Sequence, residues 1–267
     1  GINEDSSPTS TLTCIILAGG YGKRLWPLTK SIAKPLLPIG NKVILDYIMD
    51  RILELEKITK IMISTNLKFR KDFEKWAEQY ADVNLQLVYD KSYREEEKPG
   101  AIKALLDITS GLNDDCLVIA GDNIFTDDLK DMIKLYHERE ATIMGLYDVQ
   151  DIELAKNYGV VIVDKNFKIV SMEEKPQKPR STLISTGIYI FPKKILPKLR
   201  EYIECGQNPD EPGRFMKWLL ESEPVYGYVL SGEWYDIGTR ETYRKALERF
   251  GYSGEKDKSF LALEDLR

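Results

Sequence analysis

The sequence contains very few of the residues that build covalent catalytic sites or thiolate metal sites. There is one histidine, His137, and there are three cysteines in 267 residues. Cys14, Cys116 and Cys205 are too few and too scattered for a disulfide framework or a zinc site, and reduced thiols suit a cytoplasmic protein. His137 lies in a polar helical stretch, where we expect it at the surface. Nucleophilic chemistry centred on histidine or cysteine is therefore excluded.

Long apolar runs and an excess of positive charge are also missing. No apolar run is long enough to span a bilayer, so we expect no membrane partner. The formal net charge of −5 provides no broad basic field, so we expect no nucleic-acid partner. Hydrophobic residues make up 43% of the chain and charged residues 30%, which is typical of a globular protein with a sizeable core. Composition leaves a homo-oligomer open.

The order of the patterns predicts the fold class. Short apolar β-branched runs alternate with amphipathic helical patterns in the first half, starting with a buried strand at 13–18. This alternation predicts an α/β fold with a Rossmann-like, mostly parallel sheet and helices on both faces. Residues 159–174 read as a β-hairpin, which we interpret as an insertion covering one side of a cleft. We predict a flexible tail over 1–12, a single domain over 13–250 and a C-terminal extension over 251–267.

The remaining elements follow from the same patterns. Further strands are predicted at 60–65, 84–89, 116–120, 185–191 and 225–230. Helices are predicted at 43–56, 68–80, 101–109, 128–139 and 239–250.

A glycine-rich segment, LAGGYGKRLW at 17–26, follows the first strand. Its glycines allow backbone amides to approach a phosphate closely. A P-loop is excluded because Arg24 follows Lys23, where a Ser or Thr is required. A dinucleotide fingerprint is excluded because Pro27, Pro35 and Pro38 predict a long extended loop instead of an immediate helix. Four cations within residues 23–34 favour an anion site: Lys23, Arg24, Lys30 and Lys34.

LAGGYGKRL followed by AKPLLPIGNKVIL resembles the signature of the sugar nucleotidyltransferase family, which includes glucose-1-phosphate thymidylyl- and uridylyltransferases. The resemblance runs from about residue 13 to residue 250, and one departure is Lys23, where the family usually has Thr. It implies an enzyme that joins a nucleoside triphosphate to a sugar 1-phosphate and releases pyrophosphate. The hairpin would form the sugar side of its cleft.

The resemblance implies a role for each matching residue of the loop. Arg24 would lie near the triphosphate and Lys34 near the sugar phosphate, where cations offset the repulsion between two anionic reactants. Gly100, in KPGAI, would approach the base. The residues implied to contact the nucleotide are Leu17, Ala18, Gly19, Gly20, Gly22, Lys23 and Gly100.

Two aspartates are candidate metal ligands. Asp122 ends the apolar run CLVIAGDN, which places it at the carboxyl end of a strand, and Asp236 lies in WYDIGT. Asp-Asn is also ordinary turn chemistry, and Thr239 could simply cap the last helix. The resemblance implies that both aspartates hold Mg²⁺, an ion that prefers one or two carboxylates completed by water and substrate phosphates. It also gives Asp122 a catalytic role beside Arg24 and Lys34.

The sugar side is implied by three short matches. YGVV and EEKP imply that the Gly159 amide and the Glu174 carboxylate contact sugar hydroxyls and that Lys175 contacts the sugar phosphate. STGIYIF implies a further sugar-contacting strand at Thr186 and Gly187.

The substrates are the least determined part of the resemblance. Asp90 aligns where thymidylyltransferases of the family commonly have a Gln that reads the pyrimidine, which leaves the base open. We favour glucose 1-phosphate with dTTP or UTP. Two alternatives stay open: a cytidylyltransferase acting on phosphocholine or a similar ester, and a catalytically silent regulatory subunit that binds nucleotide sugars. From the sequence after the last helix we expect no left-handed β-helix of the kind that extends some relatives.

Overall fold

The computed structural model describes residues 11–20, 25, 28–90 and 99–251. Its strands are β1 Leu12–Leu17, β2 Pro38–Ile39, β3 Lys42–Val43, β4 Ile58–Asn66, β5 Leu85–Asp90, β6 Asp115–Ala120, β7 Asn123–Phe125, β8 Thr142–Asp148, β9 Gly159–Val163, β10 Ile169–Glu174, β11 Leu183–Phe191, β12 Val225–Val229 and β13 Trp234–Asp236. Its helices are α1 Leu28–Ser31, α2 Ile44–Ile52, α3 Arg70–Ala77, α4 Ala101–Thr109, α5 Lys130–Arg139, α6 Ile152–Ala155, α7 Pro197–Glu204, α8 Pro212–Leu219 and α9 Arg240–Phe250. The predicted tail and C-terminal extension fall largely outside the described residues, so the domain division stays a prediction.

Within the described ranges, nine strands form one sheet in the order β10-β9-β11-β6-β1-β4-β5, with β8 paired to β11 and β12 paired to β8. Strands β6, β1, β4 and β5 are mutually parallel, whereas β11 runs antiparallel to β6, β8 and β9. The sheet is therefore mixed around a parallel centre, and the predicted α/β class is confirmed. The predicted hairpin is also confirmed, as the antiparallel pair β9 and β10.

Alternation along β1 shows how the sheet acquires two covered faces. Cys14 and Ile16 are fully buried against the side that carries α2, α3 and α5. Ile15, between them, is fully buried against the side that carries α4, α7 and α8. Successive side chains of a strand point to opposite faces, so a continuous apolar run requires helices on both. A third cluster packs α9 against β2 and the start of α2.

The structure differs from the sequence-based expectations at three points. The segment after the glycines is not extended throughout, because α1 forms and Lys34–Leu36 makes a 3₁₀ turn in which Pro35 occupies an early position that needs no N–H donor. The strand β8 was not predicted, since its buried run is interrupted by Gly145 and does not alternate. His137 is only partly exposed, and burial lowers its pKa.

No described helix is long and apolar enough to cross a membrane.

Candidate active site

The candidate site lies where the parallel strands β1 and β6 end. The Gly121 amide donates to the Leu17 carbonyl at 2.9 Å, which holds the two strand exits together. A Cβ on Gly121 would stand 2.9 Å from that same oxygen and 3.1 Å from the Ala18 side chain. A residue with a side chain would separate the strand exits, so glycine is required here. Ligand sites of open α/β sheets lie beyond the carboxyl ends of such strands.

One cavity lies on the nucleotide side of the predicted site. Leu17, Gly19, Gly20 and Gly100 line it, together with Asp90, whose Oδ2 stands 3.4 Å from where a Gly19 Cβ would lie. Gly100 has a φ of +91°, and a Cβ there would stand 2.5 Å from the Pro209 carbonyl oxygen. Backbone conformation and close packing both demand glycine at this position.

A second cavity, of about 470 Å³, adjoins the first, and Leu17 and Asp210 line both. The second cavity contains all of the residues predicted on the sugar side, together with the two predicted metal ligands. They are Gly159, Glu174, Lys175, Thr186, Gly187, Asp122 and Asp236. The fold therefore gathers residues from opposite ends of the chain around one two-part cleft.

The short ladder between β7 and β13 brings the two aspartates together. Asp236 pairs with Asn123, the residue that follows Asp122. The Ile237 amide donates to the Asp122 carbonyl at 2.8 Å. Two aspartates separated by more than a hundred residues along the chain thus lie on neighbouring backbone segments at the carboxyl end of β6.

Lys34 supplies a positive charge at the same point. Its Nζ lies 2.9 Å from Asp122 Oδ2, and only 12% of the lysine side chain is accessible. The 3₁₀ turn that replaces the expected extended loop fixes this position. Because the ammonium group is largely removed from water, its interaction with a carboxylate or a phosphate is screened little.

On the sugar side, strand pairing positions Glu174. Glu174 ends β10 directly opposite Gly159 of β9. Burial raises the pKa of the Glu174 carboxyl group, and nearby Glu211 raises it further, whereas Lys175, Arg214 and Lys217 lower it. The carboxylate is therefore held partly away from water at a wall of the cavity.

Thr186 and Gly187 differ in what they offer a ligand. The Thr186 hydroxyl donates to the Gly145 carbonyl at 2.8 Å, so it links β11 to β8 within the sheet. Gly187 has a φ of +81°, and a Cβ there would crowd Ala120 at 3.0 Å and the Asn123 amide at 3.2 Å. This glycine lets β11 bulge beside the aspartate-bearing turn.

Comparison with known proteins identifies the architecture. The sequence model of the nucleotidyl transferase family matches residues 13–251, which is most of the chain. The chain belongs to the nucleotidyl transferase family. A bifunctional protein GlmU from Methanocaldococcus jannaschii is 32% identical over 227 residues, or 85% of this chain. A UTP–glucose-1-phosphate uridylyltransferase from Synechocystis sp. is 29% identical over 248 residues, or 88% of this chain.

This nucleotidyl transferase chain spans 51% and 62% of the length of those two relatives. A crystal structure from Bacillus anthracis, described as a glucose-1-phosphate thymidylyltransferase in complex with sucrose, has a TM-score of 0.80 at 27% identity. The match covers 94% of this chain and 99% of that one.

Three of the site residues predicted for this chain lie outside the described residues: Gly22, Lys23 and Arg24. Sequence reasoning also missed one wall of the sugar-side cavity. This wall is the segment Asp210–Gly213, which enters α8. Pro212 at the first helical position signals a helix start, but that signal does not say which cavity the helix faces.

Proposed function

We propose that this protein joins a nucleoside triphosphate to a sugar 1-phosphate, giving a nucleotide sugar and pyrophosphate. The observation that carries the proposal is the meeting of Asp122, Asp236 and Lys34 at one point of the two-part cleft. One part of the cleft is lined by glycines suited to a nucleotide, and the other holds polar groups suited to a sugar. Two reactants held in adjoining cavities gain the rate advantage of fixed proximity.

The chemistry requires no protein base. The second pKa of a phosphate monoester is about 6, so a sugar phosphate is already an anion at neutral pH. One of its oxygens forms a bond to the α-phosphorus, and the bond from that phosphorus to the bridging oxygen of the leaving group breaks. The electron pair leaves with pyrophosphate. Lys34 would offset the repulsion between the two anions, and the missing side chains at Gly19 and Gly20, which line the nucleotide-side cavity, leave room for phosphate oxygens.

We further infer that Asp122 and Asp236 hold a magnesium ion. Hard carboxylate oxygens fit this ion, and a pair of aspartates that both line the sugar-side cavity matches its preference for few protein ligands and several phosphate or water oxygens. When bound, the ion neutralises charge on the reacting phosphates. Lys34, held against Asp122, would keep that carboxylate oriented for the ion and limit repulsion between the two aspartates.

The expected substrates are glucose 1-phosphate with UTP or dTTP. The names of the Synechocystis and Bacillus anthracis relatives support them. Asp90 lines the nucleotide-side cavity. A carboxylate only accepts hydrogen bonds, whereas the amide of a Gln would donate as well as accept them, so measurement has to decide which base is used.

Pyrophosphate release with MgCl₂ tests the proposal, using UTP, dTTP, CTP, GTP and ATP against several sugar 1-phosphates and phosphocholine. Release that requires one nucleotide together with one sugar 1-phosphate is the expected result. Release with phosphocholine alone would replace the proposal with the cytidylyltransferase alternative. Nucleotide binding without any turnover would favour a regulatory subunit.

A further inference from the structure

The Glu174 carboxylate lies in a slot between two glycines from different parts of the chain. A Cβ on Gly159, across the hairpin, would stand 3.0 Å from Glu174 Oε2. A Cβ on Gly213, in the first turn of α8, would stand 2.5 Å from the same oxygen. The second distance is shorter than any real contact between a Cβ and an oxygen, so the carboxylate occupies the space that a side chain at 213 would need.

The backbone at Gly213 gives no other reason for glycine. Gly213 lies inside the regular helix α8, and its φ falls outside the left-handed range where glycine is favoured. Glycine is a poor helix former compared with alanine, because it has more backbone freedom to lose. A glycine at a helical position with ordinary dihedrals therefore calls for an explanation from packing, and the neighbour that a Cβ would meet first is the Glu174 carboxylate.

Neither backbone can move to make room. Phe215, Met216 and Leu219 anchor α8, with at most 1% of each residue accessible. Glu174 is fixed at its Cα by the ladder between β9 and β10. The terminal carboxylate of Glu174 is the flexible part of the contact, so a methyl group at 213 would displace the carboxylate and leave the fold in place.

We propose that Gly213 is a positioning residue of the sugar pocket, whose missing side chain lets the Glu174 carboxylate lie against α8 in the orientation that receives the sugar. The inference rests on the proposed function, because it assigns Glu174 to the sugar. Burial and Glu211 raise the pKa of Glu174, and two cations of α8, Arg214 and Lys217, are among the groups that lower it. Gly213 is thus part of an element that shapes the slot and brings two cations near it.

The experiment measures steady-state kinetics of Gly213→Ala, using the nucleotide and sugar phosphate that the wild type turns over best. We expect KM for the sugar phosphate to rise about 10- to 100-fold, the effect of losing a hydrogen bond to a charged group. Both kcat and KM for the nucleotide should stay within about twofold, and the melting temperature should not fall. Gly111→Ala is the matched control, since no atom of the described residues lies within 4 Å of a Cβ at 111.

A double-mutant cycle with Glu174→Ala separates positioning from a general structural role. If Gly213 acts through the carboxylate, adding Gly213→Ala to Glu174→Ala should change KM for the sugar phosphate no further. Additive losses in the cycle, an unchanged KM in the single variant, or a parallel fall of all constants with the melting temperature would each overturn the inference while leaving the proposed function intact. Absence of wild-type turnover with every pair would overturn the proposed function, and this inference with it.

Discussion

Two aspartates at opposite ends of the three-residue strand β7 show how one short segment serves two purposes. Asp127, after the strand, is 3% accessible and accepts hydrogen bonds from the Leu129 amide and from Tyr228 and Ser231. Asp122, before the strand, accepts from Lys34 and keeps 32% of its side chain accessible at the cleft. The first carboxylate is closed within protein donors, whereas the second faces a cavity large enough for a ligand.

The difference shows that burial and donor count, not residue type, distinguish a carboxylate enclosed by protein donors from one that a ligand can reach. A buried carboxylate surrounded by donors stabilises the loops that supply them. A carboxylate at the edge of a cavity has oxygens available to a ligand. The same substitution at the two positions should therefore separate stability from activity.

The largest expected effect is on activity, in Asp122→Asn. Loss of a charged metal ligand removes several kcal/mol of transition-state stabilisation, and a loss of about 4 kcal/mol corresponds to about a 10³-fold fall in kcat. Stability should change by about 1 kcal/mol or less, because 32% of the Asp122 side chain is accessible and the amide oxygen of the replacement can still accept a hydrogen bond from Lys34. Pyrophosphate release and thermal melting measure the two effects. Wild-type turnover in this variant would remove Asp122 from the proposed metal site.

The next effect is on stability, in Asp127→Asn. Whichever way the new side-chain amide turned, its NH₂ group would face one of these donors. We therefore expect the free energy of unfolding to fall by about 2–4 kcal/mol. That loss lowers the melting temperature by about 5–10 °C. Activity per folded molecule should stay near the wild-type value at a temperature where the variant is folded. A stable but inactive Asp127→Asn would contradict the distinction drawn between the two aspartates.

The smallest expected effect is on the pH dependence of the melting temperature, in Glu174→Gln. This variant tests whether the carboxylate of Glu174 destabilises the folded protein. Burial raises the folded-state pKa of Glu174 above its usual value, so the charged form is disfavoured in the folded protein. The stability that protonated Glu174 contributes is fully present below the unfolded-state pKa of this group. It is lost as the pH rises through the folded-state pKa. The variant should therefore melt slightly above the wild type at pH 8, and the difference should shrink toward pH 5. A difference that grew as the pH fell would contradict the assigned sign.

Much of the fold could be predicted because its signals are local. The strand at 13–18 and the helix at 101–109 were placed to within a residue or two, since apolar periodicity and the flanking Gly and Pro residues mark their ends. The strand β8 was missed because a fully buried run carries no alternation, and its only interruption, Gly145, exists to let Thr186 approach. Periodicity cannot register a contact made with a distant strand.

The site could be predicted only in part, for the same reason. Short motifs indicated Asp122, Glu174 and Asp236 one at a time, and their functional roles stay predictions until measured. No motif indicated Gly213, which is an ordinary helical glycine in the sequence. Its significance comes from a distance to Glu174 Oε2 that exists only in the folded chain.

The sequence by itself determined which groups are available: two carboxylates predicted to hold a metal, glycines for close backbone approach, cations predicted to meet phosphates, and very few histidines and cysteines. It also determined the alternation that produces a two-faced sheet. Only the tertiary structure decided which carboxylate is closed and which is open, that Lys34 meets Asp122, and that α8 forms a wall of the sugar-side cavity. Periodicity and capping act over a few residues, whereas a cavity is formed by surfaces that meet only after the sheet is assembled.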